Sequence, residues 1–203
     1  IPLRLVGSEM CIRDSSMISQ LRVWNAARIA VDNPAVNMGV GINTDNVVTG
    51  NIGSSKRMDF TMIGDGVNLA ARLEGSCKTY GAQIIISEYT KSKLKGIYAL
   101  RELDRIVVKG KTEPVSIFEV LDFHDEETFP ARMDVVGYFS EGLNHYRSTD
   151  FDAAIKSFSA ALEANVNDVP SQLYIERCNL FKNTPPPAGW SGEWVMTCLL
   201  YTS

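Results

Sequence analysis

DFTMIGDGVNLAAR, residues 59–72 of this 203-residue chain, predicts a strand, a tight turn and a helix in succession. Residues 59–63 alternate polar and apolar side chains, as a half-buried strand does. The tripeptide GDG at 64–66 interrupts that alternation, and a helical period of apolar residues begins at Val67. The chain therefore turns sharply between a strand and a helix at this tripeptide.

The predicted helix carries polar groups on one face. Asp65, Asn68 and Arg72 are spaced three and four residues apart, so they share one stripe, and Leu69 and Leu73 lie on the opposite side. A guanidinium and an amide in this arrangement suit phosphate and ribose chemistry. Such a short pattern is most often a solvated helix face. We interpret Asp65 as an N-cap or a favourable charge against the helix dipole rather than a metal ligand.

Helix and strand patterns also precede this junction. Residues 17–31 predict an amphipathic helix that ends before Pro34. Residues 36–42 and 47–52 predict two antiparallel strands joined across a turn at 43–46. Glycines within these two strands predict places where another group approaches the backbone closely.

The pattern after the junction again mixes strands and helices. Residues 83–86 predict a short buried strand, and Ser87 is placed to cap a helix that runs to about Leu94. Residues 100–108 and 115–121 predict a final strand pair. The mixture predicts an α+β fold.

Three stretches around the junction carry a family resemblance. They are VNMGVGINTDNVVTGNIGSSKRMDF at 36–60, RLEGSCKTYGAQIIISEYT at 72–90 and RELDRIVVKGKTEPVSIFEV at 101–120. In this order they resemble the second half of a class III nucleotide cyclase catalytic domain over residues 17–122. The resemblance implies a ferredoxin-like palm, truncated here so that its first strands are missing. It also implies that the strand glycines can face a partner subunit.

The resemblance implies that this chain supplies one half of a site shared by two subunits of a homodimer. Asn68 would orient the ribose or a water molecule, and Arg72 would meet the α-phosphate in the transition state. Lys109 would bind the terminal phosphates. Thr61 occupies the purine-reading position, which favours ATP together with a lysine upstream. Two Mg²⁺ or Mn²⁺ ions would sit on aspartates upstream of the residues present here, so no metal ligand is assigned and the chain alone is expected to be inactive.

Plainer interpretations of these residues remain open. Lys109 is also an ordinary solvated charge at a strand end, and Thr61 also fits simple β-propensity. The functional alternatives are a guanylate cyclase, a catalytically silent domain that binds nucleotide or dimerises, and a pure repeat adaptor. Joint retention of Asn68, Arg72 and Lys109 argues against the silent domain, and Thr61 favours ATP. We therefore predict an adenylate cyclase that forms 3′,5′-cyclic AMP and pyrophosphate from ATP.

A second, helical unit follows the cyclase-like region. Residues 123–130 predict a linker, and 131–184 resemble one tetratricopeptide repeat plus a further helix, as in bacterial multidomain cyclases. The repeat signature consists of Gly142, Ala154, Phe158 and Ala161, with helices ending near Arg147 and Ala164, a turn at 148–150 and a third helix at 169–181. One repeat cannot bury its own faces, so it is expected to pack on the palm, on another chain or on a protein partner. Residues 185–197 form a Pro- and Trp-containing tail.

Composition and residue spacing argue against several classes of partner and site. A net charge of −4 without a basic block argues against a nucleic-acid partner. Residues 1–16 and 198–203 resemble translated sequencing-adapter sequence and are expected to be non-native ends. Cysteine and histidine spacing favours neither a disulfide framework nor a zinc site. We expect this portion to be cytoplasmic, within a parent that a further N-terminal region could anchor to a membrane.

Overall fold

The computed structural model describes residues 7–54, 57–107, 113–187 and 189–195. Helices and strands are mixed along these residues, which confirms the α+β prediction. The elements are α1 (Gly7–Ile29), β1 (Val40–Ile42), β2 (Val48–Ser54), β3 (Arg57–Ile63), α2 (Asp65–Tyr80), β4 (Ile84–Ser87), α3 (Glu88–Lys91), β5 (Leu100–Val107), β6 (Val115–Val120), α4 (Arg132–Arg147), α5 (Phe151–Ala164), α6 (Val169–Asn183) and β7 (Trp194–Val195).

The described strands form a main sheet and a separate hairpin. The main sheet has the order β1-β4-β6-β5-β7, and β2 pairs only with β3. Strand β6 is antiparallel to both of its neighbours, β4 and β5. The two outer pairs, β1 with β4 and β5 with β7, are parallel. The final pair β5 and β6 was predicted correctly, with antiparallel register from Leu100 opposite Val120 to Ile106 opposite Val115.

The predicted hairpin between residues 36–42 and 47–52 is wrong. Strand β1 instead pairs with β4, with Val40 opposite Ile84. The side chain of Asn43, which follows β1, contacts α2 and β4 rather than closing a hairpin. Its amide nitrogen donates to the Gly66 carbonyl at 3.1 Å, and its amide oxygen accepts from the Ser87 hydroxyl at 2.6 Å. Asn43 thus joins the start of α2 to the end of β4.

Several predicted boundaries also move. Helix α1 ends at Ile29, close to the prediction, but it begins at Gly7, within the stretch expected to be a non-native leader. Helix α3 ends at Lys91 rather than near Leu94. Its cap is as predicted, because Ser87 accepts a hydrogen bond from the Thr90 amide at 3.2 Å.

The main sheet is buried on both faces. Strand β4 explains this directly, because successive side chains of a strand point to opposite faces. Ile85 packs with Leu69 and Leu73 of α2 on one face, whereas Ile84 and Ile86 pack with α1 on the other. An uninterrupted apolar run is therefore required in β4.

Helix α2 lies unusually close to β1. A Cβ atom at Gly39 would lie 2.9 Å from the Cβ of Cys77, and one at Gly41 would lie 2.3 Å from the backbone nitrogen of Glu74. The group that approaches these two glycines therefore belongs to the same chain, and the expectation of a partner subunit there is wrong. Gly50 has no atom within 4 Å of such a Cβ.

The second unit contains three helices at the predicted positions. Asp150 caps α5 by accepting a hydrogen bond from the Ala153 amide at 3.1 Å. Helices α4 and α5 approach closely at Gly142, where a Cβ atom would lie 2.5 Å from the Phe158 ring. The expected packing of the third helix on the palm is found in α6, since its Leu173 packs against the α2 core cluster. Assignment to the tetratricopeptide family stays a prediction.

The linker between the two units is a packed turn rather than an open spacer. Phe123 and Phe129 are both buried, and His124 lies between their rings with centroid distances of 4.3 and 5.4 Å. Asp125 and Thr128 close the turn with reciprocal hydrogen bonds of 2.9 and 3.0 Å. The two units are therefore joined through buried aromatic contacts.

Candidate active site

The junction of β3 and α2 positions the polar face predicted from sequence. Gly64 occupies the N-cap position, so Asp65 is the first residue of the helix and the prediction that it caps the helix is wrong. Its exposed carboxylate lies in the first turn, where negative charge is favourable against the helix dipole. The alternative interpretation of Asp65 as a dipole charge therefore fits.

Asn68 and Arg72 lie on the same face of α2. Asn68 is exposed and Arg72 is half-buried, whereas Leu69 and Leu73 are buried with exposed fractions of 2% and 0%. One helical turn separates the two polar residues, a rise of about 6 Å along the axis. The predicted division of α2 into a polar and an apolar face is confirmed.

A loop supports the start of this helix. A Cβ atom at Gly66 would lie 2.4 Å from the Cβ of Asp45, so glycine is required where the loop crosses α2. Asn43 from the same loop donates to the Gly66 carbonyl. The sequence does not predict these contacts, because residues 43–46 have the composition of a hairpin turn. The second glycine of the GDG tripeptide was the available signal.

Thr61 lies on the strand that leads into α2. It is half-buried and pairs with Gly50 across the β2–β3 hairpin. Phe60 and Met62 alternate with it and project to the other face, where 73% and 56% of their surfaces are exposed. The structure thus brings Asn68 and Arg72 together on one helix and places Thr61 just before that helix. The predicted phosphate ligand Lys109 falls outside the described residues.

Metal-ligating residue types are not clustered in the part of the chain that the structure describes. Within residues 7–54, 57–107, 113–187 and 189–195, no group of three or more His, Cys, Asp or Glu side chains is arranged to hold a metal ion. The α2 face carries the Arg72 cation and the Asn68 amide, with the exposed Asp65 carboxylate in the first turn. The chemistry of the cation and the amide is hydrogen bonding and charge stabilisation toward phosphate and ribose oxygens.

The Cys77 thiol lies close to α2 but is not a reactive group of the site. Burial raises the pKa of the Cys77 thiol to about 11, and its sulfur lies 3.5 Å from the Leu73 carbonyl beneath α2. This cysteine is a neutral packing residue rather than a nucleophile.

None of the described helices is long and apolar enough to cross a bilayer.

The family model described as adenylate and guanylate cyclase catalytic domain matches residues 13–121, more than half of the chain. The chain belongs to this family. The matched residues therefore include α1 from residue 13 onward, the β2–β3 hairpin, α2, α3 and four strands of the main sheet, β1, β4, β5 and β6. Asn68, Arg72 and Thr61 all lie inside the matched region.

Curated relatives of this cyclase domain are named adenylate cyclases. One from Dictyostelium discoideum, described as terminal-differentiation specific, is 35% identical over 147 residues, which cover 71% of this chain and 7% of that protein. One from Anabaena cylindrica is 44% identical over 90 residues, which cover 43% of this chain and 18% of that protein. The chain thus spans less than a fifth of the length of either relative.

A solved structure shares the fold. The structure of a bacterial light-regulated adenylyl cyclase is 23% identical with a TM-score of 0.52, and the match covers 64% of this chain and 38% of that chain. At this identity the likeness shows the cyclase fold alone.

The match to the Dictyostelium protein covers 147 residues, more than the family match to residues 13–121, so part of the matched sequence lies after the cyclase domain.

Proposed function

We propose that this chain carries the second half of a class III adenylate cyclase catalytic domain, in which Asn68 and Arg72 act on ATP bound mainly by a partner protomer. The observation that carries the proposal is the pairing of an exposed amide and a half-buried guanidinium, one turn apart, on the helix at the centre of the family match. The names of the relatives favour ATP as the substrate.

Cyclisation joins the ribose 3′ oxygen to the α-phosphorus, breaks the bond from that phosphorus to the pyrophosphate oxygen and releases the hydroxyl proton. Negative charge builds on the α-phosphate oxygens as this happens. Arg72 offers a permanent charge and two parallel donors to those oxygens, and its partial burial strengthens the interaction. Asn68 orients the ribose or a water molecule beside it.

The remaining groups of the site complete the proposal. Thr61 carries a hydroxyl that both donates and accepts, so it serves the adenine edge. Lys109 binds the terminal phosphates. Class III cyclases generally use Mg²⁺ or Mn²⁺, and we place the carboxylates that hold these ions outside the described residues. The tetratricopeptide-like unit is proposed to be an interaction module as well.

Exposed apolar side chains of the hairpin support a homodimer. Phe60 and Met62 on one face of the hairpin have exposed fractions of 73% and 56%, and Val48 and Ile63, a cross-strand pair on the face that Thr61 shares, have exposed fractions of 71% and 53%. A two-stranded hairpin is only marginally stable without a covering surface, and neighbouring exposed apolar side chains mark a protein contact. A second copy is the occupant we propose, because the shared site needs one protomer to present its α2 face to the nucleotide of the other.

Turnover in the parent enzyme, meaning this chain together with its upstream half, tests the proposal. The wild type is expected to convert ATP to cyclic AMP and pyrophosphate in the presence of Mg²⁺ or Mn²⁺. Arg72→Ala should lower kcat by about 100-fold with little change in KM, because its interaction exists mainly in the transition state. Lys78→Ala, an exposed cation on the same helix, is the matched control.

The alternatives give different results in this assay. ATP binding without any cyclic product would identify a silent regulatory domain, and a higher kcat/KM for GTP would identify a guanylate cyclase. Arg72→Ala with unchanged kcat would remove Arg72 from the mechanism.

A further inference from the structure

The C-terminal end of α2 is held by a buried polar network. Tyr80, the last residue of the helix, has no exposed surface. Its hydroxyl donates to Oδ2 of Asp104 on β5 at 2.6 Å and accepts from Nη2 of Arg177 on α6 at 3.3 Å. Arg177 also donates through Nη1 to the same Asp104 oxygen at 2.5 Å. The network thus joins the polar helix, the sheet and the helical unit.

A β-bulge in β5 prepares this arrangement. The register with β6 shifts between Glu102 and Asp104, which leaves Leu103 as the extra residue. The Leu103 carbonyl accepts a hydrogen bond from the Tyr174 hydroxyl of α6 at 3.0 Å. The bulge therefore supplies both an acceptor carbonyl and a carboxylate to α6.

The two charged residues of this network are almost completely buried. Asp104 and Arg177 have exposed fractions of 0% and 4%. Burial is the largest single effect and disfavours the charged guanidinium, but Asp104, Tyr174 and Tyr80 together outweigh it and raise the pKa of Arg177. Burial, reinforced by Asp104, also raises the pKa of the Tyr80 hydroxyl. The tyrosine therefore stays protonated and remains a donor to the carboxylate.

The N-terminus of α6 is fixed at the same end of α2. Asp168 caps α6 and accepts from Nη1 of Arg101 at 2.5 Å, while Arg101 also donates to Glu119 at 2.6 Å. A Cβ atom at Gly81, which follows α2 in a left-handed conformation, would lie 2.8 Å from Val169. The close approach and the positive φ of 63° both require glycine here.

These contacts bear on the proposed site because α2 is one continuous helix from Asp65 to Tyr80. Tyr80 lies eight residues beyond Arg72, about 12 Å along the helix axis. Between them, Leu73 belongs to the core cluster that Leu173 of α6 joins. Any shift at Tyr80 is therefore transmitted through a packed helix to the face that carries Asn68 and Arg72.

We propose that Arg177 is a positioning residue for the cyclase reaction, acting through Asp104 and Tyr80 to hold α2 in place. This proposal rests on the proposed function. It makes α6 a support for the helix that carries the active-site groups, in addition to any interaction role of the helical unit. The substrate-facing groups remain Asn68 and Arg72. Arg177 contacts α2 at Tyr80, the end of the helix that is far from these two residues.

Amide hydrogen exchange on this chain tests the coupling without any need for catalysis. Tyr80→Phe removes one hydroxyl and keeps the Asp104–Arg177 pair, so the fold should survive. Amides of α2 are expected to exchange about 10-fold faster, the effect of one lost buried hydrogen bond, with α4 and α5 unchanged. Unchanged exchange in α2 would overturn the proposal.

Kinetics of the parent enzyme supply the second readout. Tyr80→Phe and Arg177→Met should lower kcat by about 10-fold with KM for ATP nearly constant, because misplacement acts on the reacting geometry. Arg177→Lys keeps the charge and should recover part of the loss. Lys182→Met, which breaks the exposed pair with Asp152 between α5 and α6, is the control and should keep wild-type kcat.

The outcomes separate the two proposals. An active wild type with unchanged kcat in Tyr80→Phe would overturn the positioning role and leave the cyclase proposal standing. A wild type that makes no cyclic nucleotide would overturn the cyclase proposal, while the exchange experiment would still decide whether α6 holds α2.

Discussion

Gly41 of β1 lies directly beneath Ala70 of α2, so close that a Cβ atom at Gly41 would be 2.3 Å from the Ala70 carbonyl oxygen. The contact is with backbone, which cannot rotate away as a flexible side chain would. The distance between α2 and the sheet is therefore set by the absence of a side chain at Gly41. That distance also sets where the Asn68 and Arg72 face lies.

Gly41→Ala is expected to displace α2 and lower the free energy of unfolding by about 3 kcal/mol, the upper part of the range for overpacked sites. Chemical denaturation measures the change. Gly50→Ala is the matched control, because a Cβ atom there meets nothing within 4 Å. Equal effects of the two substitutions would contradict the close approach of α2 to β1.

His124 should make stability depend on pH. Burial, followed by the charges of Arg22, Arg101 and Arg132, lowers the pKa of this histidine from 6.5 to about 4. Between these values the unfolded chain binds a proton that the folded chain does not, so the free energy of unfolding should fall as pH drops from about 6.5 to about 4. Partial exposure reduces the expected loss to about 2 kcal/mol.

The control for this effect is a second histidine. His124→Gln should flatten the pH dependence of unfolding in that interval, whereas His145→Gln, on the surface of α4, should retain the wild-type slope. Denaturant titrations at several pH values report both slopes. A wild-type slope in His124→Gln would show that other groups carry the dependence.

Asp168 and Asp150 both cap helices, but only Asp168 also pairs with a buried arginine. Asp168→Ala should cost about 4 kcal/mol of unfolding free energy, because Arg101 loses one of its two carboxylates in a buried setting. Asp150→Ala should cost about 1 kcal/mol, the usual effect of a lost exposed cap. Similar losses would show that the Arg101 contact adds little.

Base preference should respond to Thr61. In the parent enzyme, Thr61→Cys combined with exchange of the upstream adenine-selecting lysine for glutamate is expected to shift preference toward GTP. Competition between ATP and GTP in one reaction measures the ratio of the two kcat/KM values directly. An unchanged ratio would remove Thr61 from base recognition.

Local patterns predicted the elements on which the site depends. Alternation in 59–63, the GDG break and the 3.6-residue period of α2 are properties of neighbouring residues, and they gave the strand, the turn and the polar face. The same holds for α5, whose predicted end at Ala164 agrees with the structure. The likeness to a known family then indicated which residues of that face carry function.

Pairings between distant segments were not accessible in this way. Val40 pairs with Ile84 rather than with the strand next in sequence, and turn-like residues between β1 and β2 favoured the wrong partner. Asp104 and Arg177 lie 73 residues apart, and each is an ordinary charged residue until the bulge and α6 bring them together. Buried ion pairs of this kind leave no periodic signal.

The central claim is that this chain supplies one half of a shared site, and trans-complementation tests it most directly. The parent enzyme carrying Arg72→Ala is mixed with this chain, and cyclic AMP formation from ATP is measured. Each mixed dimer then contains one complete site, so activity should return, and this chain carrying Arg72→Ala should restore nothing. Mixed dimers that form, as seen by light scattering, yet make no cyclic AMP would contradict the account.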